Sequence, residues 1–144
     1  MPANTSPVYP LTPNTGYAGG VTGIGVNVVT DYDGTGANNV LAFTAGANGS
    51  YLSHIVLKAK GTNAISVARI YLNNGSSNTA SAANNSLIRE ASLPSTTSST
   101  TVELPNIFVP IGMFIPANNR IYIGISAASA LATGWASTAP GGDY

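Results

Sequence analysis

The sequence predicts an all-β fold: a single-domain antiparallel β-sandwich or jelly roll of about eight strands, preceded by an extended, proline-rich N-terminal arm over residues 1–20. Three observations carry that expectation. Short runs of β-branched and aromatic residues recur along the chain, clusters of Gly, Asn, Ser and Thr separate them, and no stretch sustains a helical period between start and stop signals. With 144 residues the chain has the length of one domain with its own core, so residues 21–144 are read as that domain.

The arm carries prolines at 2, 7, 10 and 13, with Val8, Tyr9, Leu11 and Tyr17 between them. Proline removes backbone donors and favours polyproline or turn geometry. The interspersed side chains give such an arm something to seat in a groove, which makes Tyr9, Leu11 and Tyr17 candidate partner-binding residues.

The expected strands are Ile24–Thr30, Asn39–Ala45, Tyr51–Lys60, Ala64–Leu72, Ser86–Leu93, Thr101–Leu104, Ile107–Phe114 and Arg120–Ser126. Asn48-Gly49 and Asn73-Asn74-Gly75 supply the positive φ of tight reversals, and the second is followed by a polar loop too long for a simple hairpin. In Ile121-Tyr122-Ile123-Gly124-Ile125 the isoleucines alternate onto one face, the pattern of a core strand. Pro105, Pro110 and Pro116 punctuate the stretch before it, which predicts an edge strand or one bent between sheets. The polar tract 95–101 fits a loop or a solvent-facing edge.

Charged residues make up only 7% of the chain, and five basic and five acidic side chains leave a formal net charge of zero. That balance gives no electrostatic footprint for nucleic acid or an anionic membrane, so neither is expected as a partner. It also removes the repulsion that keeps soluble proteins apart, which suits a chain destined for an assembly. The absence of cysteine excludes disulfides, thiolate catalysis and sulfur-ligated metal. The first seven residues have neither a basic start nor an apolar stretch of signal-peptide length, so synthesis in a cytoplasm is expected.

Candidate chemistry is sparse. Asp31-Tyr32-Asp33-Gly34 starts like a calcium loop, but the twelfth position, where a bidentate Glu belongs, is Ala42. His54 is the sole histidine, and no Gly-x-Ser-x-Gly elbow accompanies it. Glu90 and Glu103 are conceivable as a glycosidase pair, but strand periodicity favours their pointing outward or pairing across strands. Gly34-Thr35-Gly36 lacks the third glycine of a dinucleotide fingerprint. No catalytic residue, cofactor or metal is expected.

Three segments resemble a family of small virion proteins of tailed bacteriophages, encoded near capsid genes. They are Val67-Ala68-Arg69-Ile70-Tyr71-Leu72-Asn73-Asn74-Gly75, then residues 86–97 (Ser-Leu-Ile-Arg-Glu-Ala-Ser-Leu-Pro-Ser-Thr-Thr), and the stretch 132–144 that ends in Gly141-Gly142-Asp143-Tyr144, about a quarter of the chain in all. The resemblance implies a head-decoration (cement) or related virion protein with a β-sandwich. It also implies frequent trimers on the capsid surface, the major capsid protein as partner, and no catalytic residues. The alternative is another virion component, such as a tail, head-fibre or host-attachment module that binds glycans. Trp135 and Tyr144 join the arm residues as candidate contacts, with a plain core role as the competing expectation for Trp135.

Overall fold

Alternation between apolar and polar side chains is realised, among the described residues, in eight strands: β1 (Thr12–Ala18), β2 (Val40–Thr44), β3 (Ser50–Ala59), β4 (Ser66–Asn73), β5 (Asn85–Leu93), β6 (Asn106–Ile115), β7 (Arg120–Ser126) and β8 (Trp135–Asp143). The structure is a computed structural model and describes residues 9–26, 32, 34, 35, 38–77 and 83–144. The strands form two antiparallel sheets of four, ordered β1-β8-β3-β6 and β2-β7-β4-β5. The fold is an all-β sandwich.

The core lies between the sheets. Leu52, Ile55 and Leu57 of β3, Ile115 of β6 and Trp135 of β8 face Ile70 of β4 and Ile121, Ile123 and Ile125 of β7, all fully buried. Each such aliphatic side chain stabilises the fold by about 1.5–3 kcal/mol relative to exposure. Along one side the sheets converge: a Cβ at Gly16 of β1 would lie 1.9 Å from the Ala42 carbonyl oxygen of β2, so only glycine permits that approach.

The pairs β1–β8, β2–β7, β3–β6 and β4–β5 are those of one long ribbon whose tip is the loop between β4 and β5. Rolling the ribbon adds the pairs β3–β8 and β4–β7. All other connections therefore pass from one sheet to the other. At Gly46–Gly49, for example, the Gly49 N–H bonds the Gly46 carbonyl and Gly49 takes a φ of 87°.

Six of the expected strands are present, with ends shifted by up to two residues. Two are not. The Thr101–Leu104 stretch is a loop, because Ser99 Oγ accepts hydrogen bonds from the Thr101 and Val102 N–H groups and withdraws them from any ladder. Of Ile24–Thr30, Ile24 makes an isolated bridge to Trp135, a turn at Val26 follows, and residues 27–30 lie outside the described residues.

Two strands were not expected. Residues 12–18, assigned to the arm, are edge strand β1, paired throughout with β8. The arm boundary at residue 20 is thereby corrected, and residues 1–8 lie outside the described residues. The other is β8, where Pro140 is tolerated in a central strand because the β3–β8 register breaks between Leu52 and Val56, opposite it.

Candidate functional site

Sheet β1-β8-β3-β6 turns its outer face to solvent, and a crease crosses it. The register of β3 shifts between Leu52 and His54 against β6, and between Leu52 and Val56 against β8. A bulge places consecutive side chains on the same side, so Ser53 and His54 both stand on the outer face, with Pro110 of β6 paired to His54. Along the crease, Pro10, Leu11, Pro13, Tyr51, His54 and Pro140 border a shallow groove of about 520 Å³.

The face is rich in exposed apolar side chains. Leu11, Tyr17, Tyr51, Phe108 and Phe114 are 83%, 79%, 39%, 66% and 50% exposed. The His54 and Phe108 rings approach at 5.8 Å, and those of Phe114 and Tyr144 at 5.6 Å. Glycine under Phe114 is required: a Cβ at Gly49 would fall 2.4 Å from its Cζ.

The few charges sit elsewhere. Lys58, at the end of β3, bonds the Leu104 carbonyl at 2.6 Å and lies 3.9 Å from Glu103. Asp143, at the far end of β8, is engaged by Ser50 Oγ and by Asn14 Nδ2 at 2.7 Å. Its carboxyl is held below the usual range chiefly by Ser50, with Asn14 and the Gly46 N–H adding to the effect and partial burial opposing it. This knot ties β1, β3, β8 and the β2–β3 turn together.

The other sheet is covered in part by the chain itself. Tyr71, Tyr122 and Arg69 point away from the core, yet are 0%, 5% and 5% exposed. The Tyr32 ring lies 3.6 Å from the Arg69 guanidinium carbon, and the Gly34 carbonyl accepts hydrogen bonds from Asn39 and Asn85, each at 2.9 Å. Arg69 also donates to Glu90 at 3.1 Å. Burial works to lower the Arg69 pKa, but its bonds to Glu90 and Tyr32 outweigh burial and raise it.

Of the candidate contacts, Leu11 and Tyr17 lie on the open face as parts of β1 and its extension rather than of a free arm, since the Leu11 N–H bonds the Asp143 carbonyl at 2.7 Å. Tyr9 is 69% exposed just before them. Tyr144 is half-buried against Phe114 at the edge of the face. Trp135 is a correction: fully buried between the sheets, it has no surface to offer a partner, and the core role stands. Tyr51, Phe108 and Phe114 were not singled out from the sequence, although their spacing by odd and even positions in β3 and β6 carried the signal.

The candidate chemical groups are not brought together. Glu90 is held by Arg69 on one sheet and Glu103 by Lys58 beside the other. His54 Nδ1 meets Ser53 Oγ at 3.0 Å, and among the described residues no carboxylate bonds it. Among the same residues no three His, Asp or Glu side chains cluster as metal ligands, and no helix is long and apolar enough to cross a membrane. Asp31 and Asp33 of the calcium-like stretch lie outside the described residues. No family model matches the chain, and no curated protein matches it.

Proposed function

We propose that the chain is a non-enzymatic structural protein of a virus particle, which binds the outside of a phage capsid and stiffens the shell by bridging neighbouring capsomers, as a decoration protein does. The observation that carries this reading is the open face of sheet β1-β8-β3-β6, aromatic and free of charge except at its rim, on a sandwich whose opposite face is covered by its own chain over Arg69, Tyr71 and Tyr122. A surface of this kind acts by contact, since exposed apolar patches mark protein interfaces. Repetition over a symmetric shell turns modest individual contacts into firm attachment.

Two further observations support the class. The three segments that resemble phage virion proteins fall on β4, β5 and β8 with their flanking turns, so the likeness runs through both sheets. The ribbon-like pairing supports reading the sandwich as a jelly roll, an architecture used by capsid and lectin domains. The implied partners are the major capsid protein and copies of the chain itself, and the implied location is the capsid surface after synthesis in the host cytoplasm.

The test is co-sedimentation of the purified chain with expanded empty heads, together with mass spectrometry of separated heads and tails. The expected result is saturable binding to heads and recovery of the chain in the head fraction. Recovery with tails alone sinks the reading. The second reading, a host-attachment module that binds glycans, is favoured by the groove beside Tyr51 and His54, whose volume is in the range of small-ligand sites. Binding of a neutral oligosaccharide that Tyr51→Ala abolishes would establish it.

A further inference from the structure

We infer that in the free protein the open face of sheet β1-β8-β3-β6 is covered by the same face of a second copy, related by a two-fold axis, so that pairing and docking on a shell compete for one surface. The inference rests on reading this face as the docking face.

Area is the first argument. Taking about 200 Å² for a fully exposed large side chain, the exposures of Leu11, Tyr17, Tyr51, Phe108 and Phe114 amount to roughly 600 Å². The exposed Pro13, Thr15, Pro110 and Thr138 of the same face bring the total toward the roughly 800 Å² per partner of a standard interface. That reaches the upper end of the largest patch on an ordinary monomer, about 300–600 Å².

Charge is the second. In a two-fold contact each residue near the axis meets its own copy, so any charge there faces a like charge. The strands beside the centre, β8 and β3, present Ala136, Thr138, Pro140, Tyr51, Ser53, His54 and Val56, and the first full charge is Lys58 at the rim. A largely apolar surface without full charges near its centre has nothing there to repel its own copy. The paired form keeps the aromatic side chains out of water until a shell displaces the second copy.

Sedimentation equilibrium of the full chain over about a hundredfold range of concentration tests the inference. A monomer–dimer equilibrium is expected. Phe108→Glu and Phe114→Glu should weaken it at least about thirtyfold, whereas Leu41→Glu on the other sheet should not. Because the chain has no cysteine, Thr138→Cys provides a second measure: a short bis-maleimide should link two copies through position 138, but not through Ser92→Cys on β5. A wild type that is monomeric throughout overturns the pairing, as does a trimer that survives Phe108→Glu. Head binding by such a monomer would remove the pairing and leave the proposed function standing. A dimer that ignores heads would sustain the pairing and sink the function.

Discussion

Ser50 Oγ donates a hydrogen bond to Asp143 Oδ1, joining the first residue of β3 to the last of β8. The same carboxylate accepts from Asn14, which also reaches the Thr44 carbonyl at 3.0 Å. One side chain thus gathers three neighbouring strands and the turn that leads into them.

That arrangement makes stability depend on acid. The folded pKa of Asp143 lies below its unfolded value, so its contribution is fully present above about pH 4 and is lost as pH falls through the folded pKa. Asp143→Ala should cost about 1–3 kcal/mol at neutral pH. The gap between wild type and variant should narrow in urea titrations run below pH 4. An equal gap at both pH values would remove Asp143 as the acid-sensitive group.

Gly49 combines a φ of 87° with the Phe114 ring directly above it. Gly49→Ala should therefore destabilise by about 1–3 kcal/mol, from backbone strain and displacement of the ring. Differential scanning calorimetry should show a lower Tm, and near-ultraviolet dichroism a changed Phe114–Tyr144 environment.

Trp135 is the sole tryptophan and has no exposed surface. Its emission should be blue-shifted in the folded protein and move to the red on unfolding. Trp135→Ala should cost about 3–5 kcal/mol. Acrylamide quenching as efficient as for free tryptophan would contradict the burial.

Ser137, two residues on, also faces the core, and its hydroxyl is fully buried without a hydrogen-bond partner. Ser137→Ala removes a desolvated group and should be neutral or stabilising by up to about 1–2 kcal/mol. A loss of more than that in chemical denaturation would show that the hydroxyl is bonded.

Removal of residues 1–20, which sequence reading treats as trimming an arm, takes β1 away and bares the edge of β8. A chain beginning at Val21 should unfold at a markedly lower temperature, whereas one beginning at Tyr9 keeps all eight strands and should melt near the wild type. Circular dichroism of the two truncations separates the cases.

These outcomes bear on what the sequence reveals. Ile121, Ile123 and Ile125 announce their strand because alternation survives in the residues themselves, and Pro110 correctly marks β6 as an edge. β1 and β8 are hidden because Pro13, Gly16, Pro140, Gly141 and Gly142 have poor strand propensity. What holds them is the pairing of β1 with β8 and of β8 with β3, together with room for close approach, none of which is local. The open face is half legible: Tyr17 and Leu11 stand out as apolar residues among prolines, but Phe108 and Phe114 join Tyr51 and Tyr17 only once β6 and β1 flank β3 and β8.

The ribbon order also governs how the molecule comes into being. Among the described residues only the β4–β5 hairpin joins strands that are neighbours in sequence and in a sheet, so it is the natural place for folding to start. β1 must wait for β8, whose partner residues lie more than a hundred positions downstream. Closing so long a loop is slow, because chain entropy is lost before the distant pairing rewards it. On the ribosome the first sheet stays incomplete until residue 143 has emerged, and the aromatic side chains of β3 and β6 spend that interval beside an unfinished edge.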